Sequence, residues 1–369
     1  MAIVRKHSKY SVVDAAYKRI KNLFDNGIPM YMSFSGGKDS IVLAQLVYDL
    51  IQRGEINPKQ LTVNFIDEEA MYDCVIDTVK EWRKKFMMVG AKFDWYCIEV
   101  THFNCLNELE DSESFICWDR YKKDVWIRKP PKFAIRDHPL LKNRKETYQS
   151  FLPKLESDGI SMIGVRVAES VQRLSNIADM KNKAGLNGRN QTYPIYDWKD
   201  VDVWKFIKDR NINLPNVYQY MWQAGIPKNR LRVSQFFSID TAQSLLKMNE
   251  FYPGLMEKVQ RREPNAYLVA LYWDTEMFRR SNKKKSNDDD DEKINYKEEV
   301  LKLLNDIPTN FPKPVARKVA YRYKNFVLKT MGIAKEQHYK RMYQALMAGD
   351  PKQRTLRALY TMVWGDARK

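Results

Sequence analysis

At 369 residues the chain has room for two or three domains, and its 44% hydrophobic and 12% aromatic content supplies a real core, which excludes a disordered polymer. No run of 18 apolar residues occurs, and the opening MAIVRKHSKYSVVDAAYKRI holds no uninterrupted apolar stretch, so the expectation is a soluble, cytoplasmic protein with no membrane partner. The net charge of +17 is unevenly spread, because residues 311–369 hold 14 Lys or Arg against 3 Asp or Glu, a net of +11. That asymmetry points to a phosphate-rich partner or to a set of solvated helices.

In chain order, residues 11–26 read as a helix with Val12, Val13, Ala16, Ile20, Leu23 and Phe24 on one side. Asn26-Gly27 stops it, and Pro29 opens a short apolar strand, Met30 to Phe34. The run after SGGKDS places Ile41, Val42, Gln45, Leu46 and Asp49 at helical spacing. LTVNFIDEEA follows as a second strand ending in Asp67, Glu68 and Glu69. A helix over roughly residues 71–88 leads to a third strand, KFDWYCIEV. This alternation predicts an α/β fold with a parallel sheet covered on both faces.

Residues 101–155, aromatic, basic and broken by prolines, read as a long insertion over the sheet edge. The sheet resumes with ISMIGVRVAESVQRL, and YPIYDWKDVDVWKFI predicts a turn and a helix capped by Asp197 or Asp200. Residues 281–293, SNKKKSNDDDDEK, carry no apolar side chain and read as a flexible linker. The expected domains are therefore residues 1–280, the linker 281–293, and a basic helical region 294–369 that begins with a helix near Tyr296 to Asn305. No internal repeat occurs.

SGGKDS stands between a strand and a helix, where backbone amides and the helix dipole gather to hold an anion. Gly36 and Gly37 allow close approach, Ser35 and Ser40 add hydroxyl donors, and Lys38 adds a positive charge. Asp39 would repel phosphate, so it either caps amides or holds a magnesium ion. The Walker A spacing is absent. At these residues the chain resembles the PP-loop superfamily, whose signature is S-G-G-x-D-S after the first strand. The resemblance implies that Ser35, Gly36, Gly37, Lys38, Asp39 and Ser40 grip the pyrophosphate of ATP or the matching anion of a related adenine nucleotide. The competing reading is an ordinary strand–helix turn that uses two glycines.

GVRVAESVQR sets Arg166, Glu169 and Arg173 past a strand end, where open α/β sheets bind ligands. This segment resembles the G-x-R-x-x-E-S-x-x-R stretch of phosphoadenosine phosphosulfate reductases and the related small subunit of ATP sulfurylase. YPIYDWKDVDVWKFI resembles a further stretch of the same proteins. The three landmarks span about residues 28–210 and imply a Rossmann-like domain of the adenine nucleotide alpha hydrolase type, followed here by the small basic helical domain. They imply a transferase-like role in sulfur metabolism, acting on ATP or phosphoadenosine phosphosulfate by adenylyl or sulfur-group transfer. Lys38, Asp39, Arg166 and Arg173 are then the expected catalytic residues, with Glu169 beside the nucleotide. The alternative for Glu169 and the two arginines is a local salt-bridge set on a helix.

The chain departs from the family in its thiols. Reductases of this kind carry a catalytic cysteine in a C-terminal segment, whereas no cysteine here follows Cys117. Cys74, Cys97, Cys105 and Cys117 form no CxxC pair, so no iron–sulfur cluster, zinc ribbon or dithiol is expected. Cys117 in FICWD reads either as a buried structural thiol or as one activated by basic neighbours. Asp67 and Glu68 could meet sugar hydroxyls or magnesium, or end a solvated strand. The histidines at 7, 102, 138 and 338 show no metal-ligand spacing and read as incidental.

In the tail, Tyr321, Tyr323, Phe326 and Tyr339 alternate with charge. They would stack on the bases of DNA or RNA, or pack inward between helices, at the same spacing. A second class of function therefore stands beside the enzyme: a nucleotide-dependent, nucleic-acid-binding regulator whose catalytic thiols have been lost. A homodimer stays open.

Overall fold

The structure is a computed structural model that describes residues 10–25, 27–103, 114–141, 146–169, 190–226, 228, 231–233, 248–266, 295–350 and 353–366. The chain divides into two compact units at Pro264. Helix α7 (Pro253–Arg262) is tied into the first unit through Arg262 and Glu69, and the boundary expected at 280 lies outside the described residues. The expected linker 281–293 lies outside the described residues.

The first unit opens with helix α1 (Val12–Phe24), whose Ser11 hydroxyl caps the Asp14 amide at 3.1 Å. Ala16, Ile20, Leu23 and Phe24 form its buried face. Strand β1 (Met30–Ser33) runs into helix α2 (Lys38–Gln52), strand β2 (Leu61–Ile66), helix α3 (Asp73–Met88) and strand β3 (Lys92–Tyr96). A hairpin follows, β4 (Thr101–Phe103) with antiparallel β5 (Ser114–Ile116). Among the described residues, helix α4 (Tyr148–Leu155), strand β6 (Ile160–Ile163), strand β7 (Gln191–Thr192), helix α5 (Asp200–Asp209) and helix α6 (Val217–Gln223) follow before α7. The sheet runs β3-β2-β1-β6-β7 with every pairing parallel, Met30 facing Leu61 on one side and Ile160 on the other. The fold is thus the expected α/β, Rossmann-like parallel sheet.

Helix α2 shows why the pattern reads as it does. Ile41, Val42, Leu43, Ala44, Leu46 and Val47 are all fully buried, so it is covered on nearly every side. Each such Leu, Ile or Val contributes about 1.5–3 kcal/mol on leaving water. The expected insertion at 101–155 resolves into the hairpin, a 3-10 segment at Arg120–Val125, and α4, which carries the chain back to β6. The expected caps of α5 are corrected. Lys199 is the N-cap residue, Asp200 is the first helical residue, and both aspartates face arginines: Asp197 takes a bidentate pair from Arg19 at 2.8 and 2.6 Å, and Asp200 meets Arg166 at 2.9 Å.

The described part of the second unit is helical: α8 (Tyr296–Asn305), α9 (Ile307–Asn310), α10 (Pro314–Thr330), α11 (Glu336–Ala348) and α12 (Arg354–Asp366). Its core gathers Val300, Leu304, Phe311, Tyr323, Phe326, Tyr339, Met342, Leu359 and Val363. Of the four tail aromatics, Tyr323, Phe326 and Tyr339 therefore pack inward, and only Tyr321 is exposed.

Candidate functional site

In the parallel sheet β1 has β2 on one side and β6 on the other, so the chain reverses its order of travel at the carboxyl ends of β1 and β6. Such a switch point opens a crevice for ligands. Both sequence motifs arrive there, SGGKDS after β1 and Gly164 to Arg166 after β6.

The turn is built by local physics. Phe34 extends the ladder by donating its amide to the Asn64 carbonyl at 2.9 Å. Gly36 then adopts φ +73°, and a Cβ there would lie 2.8 and 2.9 Å from Val75 and Val79 of α3, so only glycine turns in this space. The Ser40 hydroxyl donates to the Gly37 carbonyl at 2.9 Å and accepts the Ser35 amide at 3.2 Å, while the Gly37 amide meets Ser35 Oγ at 3.3 Å. Gly37 is the N-cap of α2 and brings no side-chain cap, and the Lys38 amide is taken by the Tyr218 hydroxyl, which leaves the Asp39 and Ser40 amides of the first turn without a partner among the described residues, at the positive end of the helix dipole.

Lys38 and Arg166 bring charge to this turn, both buried. Lys38 Nζ donates to the Leu231 carbonyl at 3.0 Å and lies 3.1 Å from Asp39 Oδ2. Arg166 Nε meets Asp39 Oδ1 at 2.6 Å, and its Nη2 meets Asp200. Asp39 thus stands between two cations, each of its oxygens engaged by one of them. That geometry makes it a counter-charge that orders the loop and leaves it a poor fit for a metal. Among the described residues no group of three or more His, Cys, Asp and Glu side chains could hold a metal ion. Gly164 allows the closure, because a Cβ on it would meet the Asp39 carbonyl at 2.9 Å.

The structure thus brings together Ser35, Gly36, Gly37, Lys38, Asp39, Ser40 and Arg166. Glu169 ends a 3-10 turn, Val167–Glu169, and its side chain lies outside what is described. Arg173 also lies outside the described residues. Asp67 sits at the end of β2, fully buried, where its carboxylate accepts Trp95 Nε1–H at 2.8 Å, the Cys97 thiol at 3.5 Å and a bond from Arg128. Those donors occupy the oxygens expected to meet a sugar.

Beside it, burial and the neighbouring Asp67 push the Glu68 carboxyl up to about 7. His102 Nε2 lies 4.0 Å from Glu68 Oε1, has no hydrogen-bond partner among the described residues, and is pushed down to about 4 by burial. Cys117 is buried, donates to the Glu68 carbonyl at 3.3 Å, and is held well above the usual thiol range by burial and the adjacent carboxylates. It is the buried structural thiol of the two readings, not an activated one.

Sequence reasoning missed Tyr218, whose hydroxyl accepts the Lys38 amide at 2.7 Å, and passed over His102 as incidental. It also missed Arg128 and Arg262, which neutralise the acidic end of β2. None of the four stands in a recognisable spacing. The one available signal was the run Asp67, Glu68, Glu69, which demands buried cations once it ends an interior strand.

Residues 29–244 match the family described as Phosphoadenosine phosphosulfate reductase domain. The uncharacterized protein YbdN of Escherichia coli strain K12 is 26% identical over 340 residues, covering 87% of this chain and 81% of that protein. Among solved structures, Candida glabrata FMN adenylyltransferase in complex with FAD and inorganic pyrophosphate aligns with TM-score 0.35 and 14% identity over 59% of this chain. The match spans 65% of that chain, less than two thirds of its length. The U34-tRNA thiolase NcsA from Methanococcus maripaludis, with its 4Fe-4S cluster, aligns with TM-score 0.33 and 13% identity over 72% of this chain and 82% of its own. No described helix is long and apolar enough to cross a membrane.

Proposed function

Because the chain belongs to the phosphoadenosine phosphosulfate reductase domain family, we propose that it is an adenine-nucleotide-binding enzyme whose SGGKDS turn holds the polyphosphate or phosphosulfate of ATP or phosphoadenosine phosphosulfate. The observation that carries this reading is the junction of the first turn of α2 with buried Lys38 and Arg166 at the switch point. Amides and a helix dipole aimed at one place stabilise negative charge without reorganising, which is the main requirement of phosphoryl-type transfer. With ATP, the α–β bond would break, the adenylyl group passing to an acceptor and pyrophosphate leaving on the loop.

Thiol-mediated reduction is not part of the proposal. No cysteine follows Cys117, and burial holds the Cys97 and Cys117 thiols above the usual range. A buried neutral thiol is a poor nucleophile.

The test is calorimetric binding of ATP and phosphoadenosine phosphosulfate to the wild type and to Lys38→Ala. A charge-assisted contact contributes about 1.5–3 kcal/mol, so the substitution should lower affinity roughly 10- to 150-fold with the fold intact. Equal affinities in the two proteins would remove the loop from the site.

A nucleic-acid partner for the second unit rests on the net +11 of residues 311–369. With Tyr323, Phe326 and Tyr339 buried, base stacking by those rings is lost to that reading. What remains is contact between Lys or Arg and phosphate.

A further inference from the structure

Tyr218 comes from α6, far along the chain from the loop, yet its hydroxyl oxygen lies 2.7 Å from the Lys38 amide, the first helical amide of α2. It is 5% exposed, so this contact is made away from bulk water. The oxygen acts as the acceptor in that bond. Its proton has no acceptor among the described residues, although a buried hydroxyl ordinarily finds one.

The space beside Gly37 adjoins that hydroxyl. A Cβ at Gly37 would lie 3.4 Å from Tyr218 Oη and 3.4 Å from Ser35 Oγ, so the missing side chain keeps open a lane between two hydroxyls at the mouth of the amide turn. Tyr218 is also held in the neutral form, since burial pushes its phenol well above the usual range. A neutral phenol beside a helix N-terminus is a donor in waiting.

We propose that Tyr218 is an anion-binding residue of this site: it takes the Lys38 amide on its oxygen and gives its own proton to an oxyanion oxygen seated on the turn. The inference rests on the nucleotide reading above and adds to it a ligand from a part of the chain that no motif marks. A hydroxyl polarised by an incoming amide is a stronger donor than one in water. Leu231 complements it from the same region, because its carbonyl holds Lys38 Nζ at the edge of the turn.

The test uses the full chain and inorganic pyrophosphate as the probe, with ATP in parallel. Tyr218→Phe should weaken both by roughly 10-fold or more, as expected for losing one hydrogen bond to a charged group. Phenylalanine also strips the acceptor from the Lys38 amide, so a second variant separates the two effects. Replacing Tyr218 by 3-fluorotyrosine makes the hydroxyl a better donor and a poorer acceptor. Tighter pyrophosphate binding by the fluorotyrosine protein is the expected result.

Weaker or unchanged binding by it would show the hydroxyl to be only a structural acceptor and overturn the proposal. So would tighter binding by Tyr218→Phe, which would mean that the hydroxyl competes with the anion. Pyrophosphate binding that depends on Tyr218, with no ATP or phosphoadenosine phosphosulfate binding, would support Tyr218 while removing the nucleotide reading. Loss of binding in Lys38→Ala with none in Tyr218→Phe would keep the loop and remove Tyr218. A wild type that binds neither pyrophosphate nor nucleotide overturns both.

Discussion

Glu68 and His102 face each other across 4.0 Å with opposite dependence on pH. The Glu68 carboxyl is pushed from 4.5 up to about 7, so the folded protein holds that proton more tightly than the unfolded chain. Its contribution to stability is complete below pH 4.5 and is lost as pH rises through 7. His102 is pushed from 6.5 down to about 4, so its penalty grows as pH falls through that window. The two oppose each other in the acid range and leave the Glu68 penalty uncovered at alkaline pH. Glu68→Gln should therefore stabilise the protein by about 1–3 kcal/mol at pH 8, trimmed by the 22% exposure of the side chain, and by little at pH 4.5. Urea midpoints at the two pH values check this, and an equal change at both would refute the assignment. The pair was invisible in sequence because His102 lies on the hairpin and Glu68 in the turn after β2, with no spacing to join them. SGGKDS was legible for the opposite reason: all its chemistry sits within six consecutive residues.

At the scale of elements, the turn between β2 and α3 and the one just past β5 each hold a residue in the left-handed region. Glu69 has φ +62° and Trp118, just past β5, has φ +53°, conformations that cost side-chain-bearing residues about 1–3 kcal/mol each. Bonds between the elements hold both in place. Glu69 accepts the Trp118 amide at 2.7 Å, the Ile127 amide at 3.3 Å and Arg262 Nε at 3.0 Å, while Arg262 also donates to the Ile116 carbonyl at 2.8 Å. One carboxylate thus ties β2, the segment after β5 and α7 together. Glu69→Ala should cost about 3–5 kcal/mol, because it takes one of two carboxylates from the buried Arg262, leaving Glu263 at 3.1 Å, and strips the acceptor from the Trp118 and Ile127 amides. Pairing Glu69→Gln with Arg262→Met should recover part of that loss. Urea unfolding measures both, and a Glu69→Ala loss under about 1 kcal/mol would mean that the pair does not hold these elements. The alternation of strand and helix was readable from period and length alone. This clamp was not, since its partners lie in the proline-broken stretch and in α7, where polar residues carry no periodic signal.

At the scale of the whole molecule, each unit buries its own core, and the second does so with few residues. A domain of this size removes only about 60% of its unfolded surface from water, so each large side chain counts. Phe326 and Tyr323 are fully buried, and the Tyr323 hydroxyl donates to Asp350 at 2.8 Å, which also accepts the Leu356 amide at 3.0 Å. These contacts close α10, the end of α11 and α12 around one centre, so residues 295–369 expressed alone should melt as one cooperative helical unit. Phe326→Ala, at about 3–5 kcal/mol, should abolish that transition. The aromatic pattern could not decide between stacking and packing beforehand, because helical spacing serves both. With the rings inward, contact with duplex DNA would rest on charge, and affinity should fall with salt at a log–log slope near −0.9 per phosphate met, with little preference for sequence. A sequence preference that survives at high salt would point to base contacts that the buried Tyr323, Phe326 and Tyr339 cannot make. A gradual, non-cooperative melt of the isolated segment would show that its helices need the rest of the chain to fold.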